Sequence, residues 1–218
     1  NLLIHSTYKD NPFLPKEQVD EIESLKDADE NLWKVFGLGL RGSSQEIIYT
    51  HWKQAEFPAD CEIVYGVDFG YNVPSAVIKI GFKENAVYAD EVLYETKLTT
   101  NDLVERLKGL GIQRSDELFC DNAEPKTIEE LTRAGFNAKP AEKDVYAGIQ
   151  KVKSMPLYIT PQSSNLIKEI KSYKWKLDKD GKIHPDEVPV KFNDHALDAL
   201  RYGVYTKLNR PRMAVRVW

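Results

Sequence analysis

Aspartates that close apolar runs are the residues of this sequence whose chemistry most needs explaining. Asp68 follows Val64, Tyr65 and Val67 and is followed by Gly70, and Asp121 follows Leu118, Phe119 and Cys120. A carboxylate at the end of a buried strand is costly to desolvate unless it is paired or binds a cation. A third group lies in NDHALDAL, where Asp194 and Asp198 are four apart and His195 and Asp198 three apart. Those spacings let all three project from one side of a helix. Asp198 is flanked by Ala196, Leu197, Ala199 and Leu200, so it needs a partner, and a metal site is the simplest one. Asp194 also reads as a first-turn carboxylate stabilised by the helix dipole, and His195 taken alone reads as structural. Two carboxylates a few ångströms apart repel unless a divalent cation lies between them, and hard oxygen donors with open positions suit Mg²⁺ or Mn²⁺.

The elements that must position these acids can be read along the chain. EIVYGVDFG, SAVIKIGF and AVYADEVLYE are three strands with short connections, an antiparallel meander. TTNDLVERLKGLG is a helix with Leu103, Leu107 and Leu110 on one face and Gly111 as its stop. ELFCDNAEP is a buried strand running into an acidic turn, PKTIEELTRAG a helix from Pro125 to Gly135, and FNAKPAE a short strand. KDVYAGIQKVKS and SSNLIKEIKSY are helices either side of PLYITP. KWKLDKDGKIHPDEVPV reads as a hairpin about Asp180 and Gly181, NDHALDALRYGVYTKL as a helix capped by Asn193, and NRPRMAVRVW as a loose basic tail. This order specifies an α/β fold, a mixed sheet with helices on both faces. If the first and fourth strands are parallel neighbours, Asp68 and Asp121 sit side by side at one sheet edge.

Residues 1–60 differ in character: Pro15 opens a short acidic helix carrying Val19, Ile22 and Leu25, and LWKVFGLGLRGSSQ after it is glycine-rich without a sustained period. We read 1–60 as a lead-in and 61–218 as the main domain. The chain begins with Asn rather than Met and is read as a piece of a longer protein.

The net charge of −4 speaks superficially against a polyanionic partner, but residues 1–138 sum to −11 and residues 139–218 to +7. No run approaches the roughly 18 apolar residues of a membrane span, and the first residues lack a signal-peptide layout. Cys61 and Cys120 match no metal spacing and read as reduced core thiols. No GxxxxGK[ST] loop is present, so the chain is not expected to hydrolyse ATP by that route, and the sequence also lacks a GxSxG elbow and HExxH.

Taken together, VYGVDFG, FCDNAEP and NDHALDALRYG resemble the nuclease domain of the large terminase subunit of tailed bacteriophages, within the ribonuclease H-like superfamily. Ala141–Lys143, YAGIQ, SSNLIKEIKSYKW and DKDGK look like that family too, and STYKDNPFLP resembles the segment after its ATPase domain. The resemblance implies a ribonuclease H-like fold and an endonuclease that cuts double-stranded viral DNA concatemers during packaging, by two-metal hydrolysis with Mg²⁺ or Mn²⁺. It makes Asp68, Asp121 and Asp198 the metal triad, with His195 as an auxiliary ligand or acid/base group and Asp194 beside it; which of Asp194 and Asp198 is the inner ligand stays open, with Asp198 favoured by its apolar flanks. It implies an upstream ATPase domain, a small terminase subunit and a portal protein as partners, no membrane, and work in the host cytoplasm at the procapsid. Lys143 and the hairpin around Gly181 are expected near the site; Lys143 also reads as a plain surface lysine at a helix start. For DNA contact we expect Lys143, Lys174, Lys176 and Lys182, bordered by Lys139, Lys151, Lys153 and Lys171. Tyr173, Trp175 and Phe192 read as core rather than as base-stacking. The alternatives are a RuvC-like resolvase or DDE recombinase, a sugar kinase or actin-like ATPase, for which CDNAEP offers no second phosphate motif, and a non-catalytic docking module.

Overall fold

The computed structural model describes residues 6–28, 32–40, 46–178, 182–184 and 186–209. The chain divides into two compact units, residues 1–50 with 168–194, and residues 51–167 with 195–218.

The second unit is built on a seven-stranded sheet in the order β1-β7-β4-β3-β2-β5-β6. β2 (Glu62–Asp68), β3 (Ser75–Lys83) and β4 (Ala86–Glu95) form the expected antiparallel meander. β5 (Glu117–Cys120) lies parallel to β2 and β6 (Asn137–Pro140) parallel to β5, so the first and fourth predicted strands are neighbours. Two strands the periodicity does not signal, β1 (Trp52–Gln54) and β7 (Leu157–Ile159), extend the other edge in parallel beyond β4. Each has three residues, too few for a period of two to register. β1 falls in the segment read as lead-in.

Alternation along β2 sends its side chains to opposite layers. Tyr65 and Val67 join one core with Leu103, Val104 and Leu107 of α2 (Thr100–Gly109) and Ile128 and Leu131 of α3 (Pro125–Arg133). Gly111 and Gly135 take positive φ after these helices, as their role of stops requires. Leu110, expected on the buried face, is 42% exposed, because the helix has ended before it. The opposite layer holds α4 (Val145–Lys153) and, after α5 (Ser164–Ser172), which begins in this unit, α6 (His195–Asn209), which is buried on nearly every side. At its far end Lys207 bridges Glu62 of β2 (2.7 Å) and Glu117 of β5 (2.8 Å).

In the first unit α1 (Lys16–Ala28) buries Leu25 against Leu32 and Phe192, with Ile22, Trp33, Phe36 and Val190 around them. The rings of Phe36 and Phe192 meet edge on at 4.6 Å. Antiparallel bridges Trp175↔Pro189 and Leu177↔Ile183 support the hairpin reading; its turn, Lys179 to Gly181, lies outside the described residues, as does the tail 210–218. Tyr173, Trp175 and Phe192 are buried core residues, as expected.

Candidate metal centre

Parallel pairing sets the first two acids together. Val67 faces Cys120 in register, and the residues that follow them are Asp68, the last of β2, and Asp121, just past β5, with the Asp121 N–H donating to Val67 O at 3.0 Å. The loop after Asp68 is tied down where Gly70 N–H donates to Ser75 Oγ (3.1 Å) and the Ser75 hydroxyl donates to Gly70 O (2.7 Å). Beside it opens a cavity of about 370 Å³, lined by Phe69, Gly70, Tyr71, Thr99 and Glu124 among others.

The third acid arrives on α6, and two glycines set how close. A Cβ on Gly66 would stand 1.8 Å from Ala199 O, and one on Gly203 would stand 3.3 Å from Gly66 N. Helix backbone therefore rests on strand backbone. Gly66 and Asp68 share a face of β2, so this contact carries the N-terminal turn of α6, with His195 and Asp198, to Asp68. His195 Nδ1–H donates to Asp68 Oδ2 at 3.0 Å.

Asp68 is 8% exposed, and its carboxyl is shifted from the usual 3.8 to about 6. Burial pushes it up, the His195 hydrogen bond pulls it back, and the charges of Asp198 and Asp121 push it up again. The same three carboxylates, after burial, raise the Tyr202 hydroxyl. Burial lifts the Cys120 thiol to about 12, in keeping with an inert core cysteine, whereas Cys61 is only half-buried.

Each outer acid already has a cation. Lys143 forms an ion pair with Asp121 Oδ1, held there because Ala141 N–H donates to Cys120 O (2.8 Å) and brings the end of β6 to the site. Asp198 accepts from Arg201 Nη2 (2.7 Å) and Nε (3.3 Å), both on Oδ1. The sequence pointed to a metal as the simplest partner for Asp198; the structure supplies Arg201, one turn along the same helix. As the side chains stand, among the described residues no group of three or more His, Cys, Asp and Glu is drawn together into a cation cage. The chemistry of the donor set nonetheless fits a divalent cation: a buried carboxylate destabilised by two neighbouring ones, with an imidazole beside it.

Other expectations fare differently. The last helix begins at His195, so Asp194 precedes it, half-buried, and Asp198 falls in its first turn rather than deeper. Asn193 takes a φ of 45° instead of the extended backbone of a cap. Lys174, expected to meet DNA, is 1% exposed and leaves the set of DNA-facing candidates, while Lys143, Lys176 and Lys182 are exposed. Lys139 is engaged with Glu117 at 2.7 Å. Arg201, Gly66, Gly148 and Gly203 were not singled out from sequence; the signal available was the RYG that continues the last motif.

A mixed sheet with acids closing two adjacent parallel strands, and a third on a helix crossing their face, accords with the ribonuclease H-like domain that the family model describes. The family model described as Terminase RNAseH like domain matches residues 68–205, and the chain belongs to that family. A second model, Phage terminase large subunit, matches residues 1–40. The PBSX phage terminase large subunit of Bacillus subtilis (strain 168) is 26% identical over 216 residues, covering 92% of this chain and 49% of that protein. The large terminase subunit of Bacillus phage SPP1 is 28% identical over 221 residues, covering 91% and 50%. The chain thus spans about half the length of the curated relatives it matches. Among solved structures, the large terminase nuclease domain of bacteriophage SPP1 with bound Mn superposes with a TM-score of 0.63 at 21% identity, covering 74% of this chain and 98% of that one.

Proposed function

We propose that this chain is the nuclease portion of a phage large terminase, a metal-dependent endonuclease that cuts double-stranded viral DNA concatemers during genome packaging. The observation that carries the reading is Asp68: buried, hydrogen-bonded to His195, and raised by Asp198 and Asp121, in a family with a solved member that holds Mn.

Asp68, Asp121 and Asp198 would hold the cations, with His195 beside them and Asp194, just before the helix, as the alternative acid to Asp198. Two divalent ions of the Mg²⁺ or Mn²⁺ type, when bound, supply an activated water and stabilise the charge on a leaving 3′ oxygen. The chain's own residues do the rest. His195 donates through Nδ1 to Asp68, which fixes the ring and the Asp68 rotamer and leaves Nε2 as the imidazole's basic nitrogen. Asp68, at about 6, is mostly ionised at neutral pH. Lys143 is exposed enough to exchange Asp121 for a phosphate oxygen, and Lys176 and Lys182 carry the same charge on the surface. Such contacts position a backbone without reading bases, so binding falls steeply with salt.

We further read residues 1–60 as the lead-in from an upstream ATPase domain and 61–218 as the nuclease domain, working at the procapsid in the host cytoplasm with the small subunit and portal as partners. The match of residues 1–40 to the large-subunit model and the half-length span support this. Among the described residues no helix is long and apolar enough to cross a membrane.

The test is plasmid nicking in Mn²⁺ and in Mg²⁺ by the 218-residue chain and by Asp68→Ala, Asp121→Ala and Asp198→Ala. We expect nicking by the parent and its loss in all three. Equal cutting by all four chains refutes the site, and a folded parent inert in both metals favours a docking module. Preference for four-way junctions over linear duplex favours a resolvase.

A further inference from the structure

We propose that Arg201 is the positioning residue of the acidic cluster, pinning Asp198 by one oxygen so that the other is presented to a cation. This rests on the metal-dependent reading above. Most ion pairs one helical turn apart are exposed and weak. This one is not: the side chains of Arg201 and Asp198 are 3% and 15% exposed. Both donors, Nη2 and Nε, fall on Oδ1, so Oδ2 is left clear of the pair.

What restrains the arrangement is the packing around the Arg201 side chain. Gly148 of α4 lies against the aliphatic stem of Arg201: a Cβ there would stand 2.7 Å from its Cγ and 2.8 Å from its Cδ. Arg201 Cζ lies 4.7 Å from the centre of the Tyr202 ring. A planar group packed on its stem and on one face is restricted in its rotamers, and it cannot shed its charge. Lys143 on Asp121 is the contrast, a flexible ammonium whose side chain is 38% exposed. The two outer acids therefore differ: Asp121 can trade its lysine for a ligand, while Asp198 keeps its arginine throughout.

Two effects of Arg201 on cation affinity oppose each other. Its positive charge lowers affinity by repulsion, and its fixing of Asp198 raises affinity by preorganisation. Removing a group that orients a metal ligand commonly costs 10–100-fold in affinity. We therefore expect positioning to outweigh charge.

Isothermal titration of Mn²⁺ into the 218-residue chain separates these, with Arg201→Met, Arg201→Lys and Gly148→Ala as variants and thermal melting run beside it. Expected is a Mn²⁺ affinity about 10–100-fold weaker in Arg201→Met, an intermediate loss in Arg201→Lys, and a loss in Gly148→Ala, which alters no charge but crowds the arginine. A rise in affinity in a folded Arg201→Met means the residue acts by charge alone and overturns the proposal. Unchanged affinity with a lowered melting point means a purely structural role and overturns it too. Should Arg201→Met not fold, Arg201→Lys and Gly148→Ala decide by the same criteria. A parent that binds no Mn²⁺ overturns this inference together with the metal-dependent reading, whereas parent-like affinity in every variant overturns this inference alone.

Discussion

Replacing Asp68 by Asn should make the cation-free protein more stable, although it removes the central acid of the site. The folded-state carboxyl is raised from 3.8 to about 6, chiefly by burial. A raised acid contributes its stability while both states are protonated, below about pH 4, and loses it as pH climbs through 6. That gap of about 2 pH units corresponds to about 3 kcal/mol of strain at pH 8 in the parent. The amide carries no charge and keeps an acceptor for His195, so most of this strain is relieved. At about 2–4 °C per kcal/mol for a chain of this size, Asp68→Asn should melt roughly 5–10 °C higher at pH 8 in EDTA. The advantage should shrink through pH 6 and vanish near pH 4, where the parent's Asp68 is itself neutral. Added Mn²⁺ should narrow or reverse the order, because a ligand that binds the folded parent stabilises it by mass action. Differential scanning calorimetry across pH, with and without Mn²⁺, reads all three. An Asp68→Asn chain that melts at or below the parent at pH 8 in EDTA, or that keeps a constant advantage down to pH 4, refutes the argument that Asp68 is held under electrostatic strain.

Two further outcomes follow from the same geometry. Gly66→Ala drives a methyl to 1.8 Å from a helix carbonyl, and backbone cannot turn aside as a side chain can, so it should cost about 3 kcal/mol or more in urea unfolding, the upper end for overpacking; a loss under about 1 kcal/mol would show that α6 can lift away freely. At Glu117 burial opposes the charge, but hydrogen bonds from Lys139 and Lys207 overcome it and hold the carboxyl at about 2. That stability is present above the usual 4.5 and is lost as pH falls towards 2; allowing for solvent screening, Glu117→Gln should lower stability by about 1–2 kcal/mol at pH 7 and match the parent near pH 2 in chemical denaturation.

The acids were legible in sequence because their surroundings are local. Asp68 and Asp121 each end an apolar run, and a run of that kind predicts both a buried strand and an expensive carboxylate. The central sheet was legible for the same reason, since β2, β3 and β4 are long enough to show their pattern. What was not legible depends on contacts between distant segments. Nothing local to Arg201 signals its burial, which shows only when Gly148, 53 positions earlier, is laid against it. Lys174 sits in a basic stretch with aromatics and reads as surface, yet its strand bridge to Ile47 places it in the interior of its unit. Asn193 has the chemistry of a cap, but its positive φ hands the start of the helix to His195.

The double bridge of Lys207 to Glu62 and Glu117 lies at the opposite end of α6 from His195 and Asp68. From His195 to Lys207 the helix rises about 18 Å, and from Glu62 to Asp68 the strand extends about 20 Å. Helix and strand therefore act as two rods of one length, pinned to each other at both ends and touching backbone to backbone at Gly66. The glycine contact stops the helix from lifting and the lysine pin stops it from sliding along its axis. An inserted or deleted residue anywhere in either rod would leave one pin unmet, so the separation of the carboxylates is gauged from the far side of the molecule rather than by the loops that surround them.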